Sequence, residues 1–232
     1  MVDNKSEKKV LVFDSSTLIN FAMNSSLDIL VKLKQKFNVR FIISKAVKSE
    51  VIDRPLQIKN YELEALRIKK LLDDKILEMP DSLGISENEI NSETSSFMDI
   101  ANNMYTAQGE RMRIVSRGEC SCIALSIILA KKKIDSLVVI DERTARMLLE
   151  KPENLRDLYA KKLHTPIKMN YNRATDLPIR VIRSSELVYI AHKKNLIEIK
   201  DGKQLLDALL YAVKYKGCAI SLDEIEELKE LV

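Results

Sequence analysis

Two runs of apolar residues constrain the fold of this 232-residue chain more than any other feature. They are Val10-Leu11-Val12-Phe13 and Leu137-Val138-Val139-Ile140, and each stops at a carboxylate, Asp14 and Asp141. Short continuous apolar runs rich in β-branched and aromatic residues read as buried strands. The first run is followed by helical spacing at Leu27, Leu30, Val31 and Leu33, then by a second strand pattern at 39–43 and a helix over 45–52 that Ser44 caps and Pro55 stops. Strand, helix, strand, helix is the signature of parallel pairing with right-handed crossovers, so the class is α/β with a central parallel sheet.

The chain in between and beyond continues the alternation. Helices are expected over 61–72, from Glu87 towards 107, over 120–130, 143–150, 187–194 and 204–216, and after the Ser221–Glu224 capping box. Strands are expected at 75–79, 137–140 and 179–182, and residues 108–113 read as a loop. Two stretches stand apart. Residues 81–97 hold four acids and no basic residue, and residues 151–183 hold eight Lys or Arg against three acids. The second reads as an irregular hairpin or basic arm, punctuated by Pro166 and Pro178.

Composition excludes several classes. The net charge of +4 permits a nucleic-acid partner without demanding one. Three cysteines with no CxxC pair argue against a zinc site or a disulfide scaffold and fit a reducing, cytoplasmic setting. The longest apolar run, 122–130, is broken by Ser126 and too short to span a bilayer, and the polar first residues show no signal peptide.

Four acids occupy comparable places. Asp14 and Asp141 end buried strands, while Glu50 and Glu119 lie near the starts of helices that face the same end of the sheet. Ligands bind in the crevice beyond the carboxyl ends of parallel strands. Each acid also has a plain structural explanation: Asp14 as a helix cap, Glu50 as a solvated side chain beside Lys48 and Arg54, Glu119 as a partner of the helix dipole. Taken together they call for a hard divalent cation, Mg²⁺ or Mn²⁺, because clustered carboxylates repel and no histidine or thiolate accompanies them. Such ions suit phosphodiester hydrolysis, and a basic arm would hold the phosphate backbone. Lys161, Lys162, Lys168 and Arg173 are the candidates on that arm, with a dimerisation hairpin or a solvated surface as the other readings. His164 reads as a surface residue.

The segments Asp14-Ser15-Ser16-Thr17-Leu18-Ile19, Ser44 to Glu50, Gly118-Glu119 and Leu137 to Arg143, in that order, resemble the successive motifs of PIN-domain nucleases, and the tail from Ile182 to Ile197 is similar to the last strand and helices of toxin-related members. The resemblance implies a three-layer α/β/α sandwich over a single domain, 1–232, with insertions at about 81–113 and 151–178. It further implies metal-dependent endoribonuclease activity on RNA, single-stranded by preference, frequent homodimers, an antitoxin or other protein partner and no membrane association. It places Asp14, Glu50, Glu119 and Asp141 on the metal-binding acids and Ser16 on the hydroxyl that orients Asp14. Where relatives carry a Gly-Thr pair, this chain has Arg183-Ser184, so Ser184 keeps the hydroxyl role while Arg183 crowds or charges the site. The alternative is a PIN-fold RNA-binding or scaffold protein without turnover. A doubly wound phosphoacceptor or small-molecule domain is a third reading, without a glycine-rich loop to support it.

Overall fold

The computed structural model describes residues 9–170, 179–199 and 202–231. Its centre is a parallel sheet of five strands in the order β3-β2-β1-β6-β8. Strand β1 (Val10–Phe13) is flanked by β2 (Arg40–Ile42) and β6 (Ser136–Val139), so that Leu11 stands between Phe41 and Leu137. Beyond β2 lies β3 (Leu77–Glu78), and beyond β6 lies β8 (Val181–Ile182). Both immediate neighbours of β1 are therefore reached by crossovers leaving in opposite directions, which makes the β1/β6 boundary the topological switch point where a crevice opens at the strand ends. All four residues of β1 are buried, as expected of a strand covered on both faces. Among the described residues, no helix is long and apolar enough to cross a membrane.

The helices that frame this crevice start where their sequences say they should. Asp14 caps α1 (Ser15–Met23), and Ser44 caps α3 (Lys45–Lys48) by accepting from the Val47 N–H at 3.2 Å. After α2 (Leu27–Phe37), β2 and α3, the chain passes into a π-helical turn, Ser49–Asp53, before Pro55 ends the helical run. Wide turns of this kind concentrate at functional sites. Helix α4 (Glu62–Asp73) follows the predicted pattern, and helix α5 (Glu87–Asn103) starts where expected but stops at Asn103, short of the expected 107. Helix α6 (Arg117–Lys131) is buried along nearly its whole length, against α5 and β1. It begins one turn earlier than the apolar run 120–130 indicates, because Ser116 and Glu119 form a capping box.

Two more expectations are corrected. The loop expected over 108–113 is interrupted by a strand: β4 (Tyr105–Ala107) and β5 (Glu110–Arg111) form a hairpin closed by Gln108 and Gly109, both with positive φ. Glutamine is not among the residues that announce such a primed turn, so the signal was hidden. Residues 151–170, the described start of the expected arm, are not irregular either. After α7 (Arg143–Glu150) comes an ordinary helix, α8 (Pro152–Leu163), and then β7 (Ile167–Met169), which pairs with β4. The two stretches read as insertions thus meet in one small antiparallel sheet, tied further by the buried Tyr105 hydroxyl, which donates to the Pro152 carbonyl at 2.8 Å. Helices α9 (Ser184–Lys193), α10 (Gly202–Tyr215) and α11 (Leu222–Glu230) complete the chain.

Candidate metal centre

Asp14 ends β1 and is almost fully buried. Its Oδ2 accepts from the Ser16 N–H at 3.1 Å and the Ser16 hydroxyl at 2.6 Å. Its Oδ1 is buried with no hydrogen-bond partner among the described residues. An unpaired buried carboxylate oxygen is costly, and burial accordingly pushes the Asp14 pKa up against the Ser16 hydrogen bonds, with the Glu50 charge adding to the rise.

Glu50 and Glu119 come to the same place from different elements. The π turn carries Glu50 over the first turn of α6, where both its carboxylate oxygens would lie 2.8 Å from a Cβ at position 118, a space that only glycine leaves open. The Ser44 and Ser121 hydroxyls, 2.7 Å apart, fasten α3 to α6 just below. Glu119 occupies the capping-box position, with Oε2 accepting from the Ser116 N–H at 2.5 Å. Its pKa is raised by burial and, through charge, by Asp14 and Glu142. The buried Cys122 thiol, held well above its ordinary pKa by burial, also feels Asp14, Glu50 and Glu119 together. Three of the four predicted acids therefore share one electrostatic environment.

Asp141 is placed differently. It ends the β6 segment beside Asp14, and its backbone N–H donates to the Ser16 hydroxyl at 3.2 Å, so Ser16 bridges the two strand ends. Its carboxylate, however, is engaged on both oxygens: Oδ1 accepts from the Ser184 N–H at 2.8 Å, and Oδ2 from the Asn20 side-chain amide at 3.0 Å. Asn20, itself fully buried, also donates to the Val213 carbonyl at 2.8 Å. Burial raises the Asp141 pKa against these donors. Ser184 contributes chiefly its backbone N–H, and its hydroxyl stands 3.4 Å from the Asn20 amide. Among the described residues, no three His, Cys, Asp or Glu side chains already stand close enough to grip a metal ion.

No family model, no curated protein and no solved structure matches the chain.

One neighbour departs from expectation. Arg183 does not crowd the cleft: its guanidinium is taken up by Glu186 and by Glu224, the latter at 2.8 Å. Glu142, next to Asp141, caps α7 by accepting from the Ala145 N–H at 2.7 Å, and its charge adds to the rise of the Glu119 pKa. The signal available for it in the sequence was its position, one residue past the strand-ending Asp141. Of the basic candidates, Lys161 and Lys162 are exposed in the last turn of α8, and Lys168 is exposed on β7. In the small sheet Lys168 stands opposite Thr106, which in turn stands opposite Arg111, so the two cations lie in one row. Arg173 falls outside the described residues.

Proposed function

We propose that the protein is a Mg²⁺- or Mn²⁺-dependent endoribonuclease of the PIN type, built as a three-layer α/β/α sandwich and cutting single-stranded RNA. The observation that carries this reading is the free, buried Oδ1 of Asp14 in the company of Glu50 and Glu119 at the switch point of a parallel sheet. An orphaned oxygen among like charges is what a hard cation relieves, and an all-oxygen donor set fits Mg²⁺ or Mn²⁺ over softer metals. Asp14, Glu50 and Glu119 would hold the ion, closing on it by side-chain rotation. Bound there, it supplies a water of lowered pKa and stabilises the leaving oxygen of the phosphodiester.

The chain's own residues prepare the site. Ser16 occupies Asp14 Oδ2 and leaves Oδ1 without a hydrogen-bond partner among the described residues. Asn20 and the Ser184 N–H fix Asp141, which fixes the end of β6 beside Asp14. In this reading Asp141 is a positioning residue. Lys168 and Arg111, with Lys161 and Lys162, offer phosphate contacts on the small sheet and α8.

The test is cleavage of a single-stranded RNA in Mn²⁺, with calorimetry of Mn²⁺ binding alongside. Cleavage should stop with excess chelator and again with Asp14→Asn, and Mn²⁺ binding should vanish in the same variant. RNA cleavage that survives both changes removes the assignment, as does a parent protein that neither binds Mn²⁺ nor cuts. RNA binding without carboxylate-dependent Mn²⁺ uptake would instead support a scaffold without turnover.

A further inference from the structure

The turn after α10 and the face of α7 enclose a groove of about 500 Å³ beside the end of β6. It is continuous, at Arg143, Arg146 and Glu224, with a second hollow of about 430 Å³ along β8. Each is large enough for a nucleotide-sized group. Ala219 joins the groove to the strand end: its N–H donates to the Asp141 carbonyl at 3.1 Å, and its own carbonyl accepts from Arg146 at 3.3 Å.

The charge of the walls is unbalanced where it faces outward. Arg183 is neutralised by Glu186 and Glu224, and the Lys214 ammonium is tied to the Ile220 carbonyl. Arg143, by contrast, is exposed and has no ion pair among the described residues, and the same is true of Lys151. Arg146 has a long contact to Glu150, 3.6 Å, and its Nε is buried with no hydrogen-bond partner. At the rim, Tyr215 is 77% exposed, and its ring is stacked on Tyr211 with centroids 5.9 Å apart. A cationic groove beside an exposed, pre-ordered aromatic ring is the combination that binds single-stranded nucleic acid: phosphates on the cations and a base on the ring. A duplex, whose bases are already stacked, has no use for the tyrosine.

We propose that this groove carries the RNA strand away from the carboxylate cleft, with a phosphate on Arg143 and an unstacked base on Tyr215. The proposal rests on the ribonuclease reading and names the side of the cleft, opposite in chain terms to the Lys168 sheet, that selects single strands. It is tested on the full chain by fluorescence anisotropy with a short single-stranded RNA and its matched duplex, in excess chelator so that nothing is cut.

Tyr215→Ala should weaken single-strand binding about 5- to 10-fold and change duplex binding little. Arg143→Gln should reduce the slope of log affinity against log salt by about 0.7, the loss of one phosphate contact on a single strand. Both side chains are exposed, so the fold tolerates their removal. Unchanged affinity and slope in both variants overturn the proposal, including the case in which an acidic protein segment is the true occupant. A parent that cuts RNA in Mn²⁺ while these variants bind like the parent sinks the groove and spares the nuclease reading. Binding that depends on Tyr215 and Arg143 without any Mn²⁺-dependent cleavage does the reverse.

Discussion

Gly118→Ala separates stability from function, because the atoms nearest the added methyl all belong to the Glu50 carboxylate. A Cβ at position 118 would lie 2.8 Å from both Glu50 carboxylate oxygens and 3.1 Å from the carboxyl carbon. Ordinary contact begins near 3.4 Å, so the carboxylate must retreat by about 0.6 Å. The obstacle is the tip of a flexible side chain, so the retreat is cheap for the fold. The glycine itself has no left-handed backbone to protect, and alanine is the better residue in a helix by about 0.5–1 kcal/mol. For a chain of this size that gain corresponds to a melting temperature raised by about 1–4 °C. The displacement works the other way on activity, since misplacing a ligating group by a fraction of an ångström to an ångström costs about 10- to 100-fold in rate. The assays are thermal melts in chelator, Mn²⁺ titration by calorimetry, and initial rates of RNA cleavage. A variant that melts at or above the parent while losing Mn²⁺ affinity and rate supports the placement of Glu50 in the centre. Parental Mn²⁺ affinity and parental cleavage would refute the reasoning.

Asp14→Asn should raise stability in chelator, because it removes a buried charge that burial, and to a lesser extent Glu50, disfavours while asparagine keeps the α1 cap; urea unfolding that shows a loss instead contradicts the electrostatic account. Asp141→Asn should do the opposite. Its amide group would face either the Ser184 N–H or the Asn20 amide, both donors, at a cost of about 1–3 kcal/mol, and equal stability of the two proteins would remove Asp141 from its positioning role. Far from the cleft, burial lifts the Glu78 pKa but Arg40 and Lys34 outweigh it and hold the carboxyl below its ordinary value. A folded pKa below the unfolded one stabilises above the unfolded pKa and is lost as pH falls through the folded one. Glu78→Gln should therefore cost about 1 kcal/mol at neutral pH and progressively less in acid, and urea midpoints that stay equally far apart from neutral pH into acid speak against it.

What could be read in the amino-acid order was whatever depends on local pattern. The apolar runs located β1 and β6, the Ser44 cap located the start of α3, the hydroxyl–acid spacings located the starts of α5 and α11, and the strand–helix alternation implied the parallel sheet. What could not be read depended on partners distant in the chain. The β4–β5 hairpin and its pairing with β7 need residues 105–111 and 167–169 to meet, and neither stretch alternates long enough to announce itself. The difference between Asp14 and Asp141 is of the same kind. Both end an apolar run and both precede polar residues, so pattern alone makes them equivalent. They part company only because Asn20 and the Ser184 N–H, separated from Asp141 by 121 and 43 residues, converge on one carboxylate and leave an oxygen of the other bare. Each Asp141 oxygen already holds one donor, whereas Asp14 keeps an oxygen with none in the charge field of Glu50, which a cation would relieve. The same contacts tie the end of β6 to α1 through Asn20 and to α9 through Ser184, a junction of three elements that no local pattern announces.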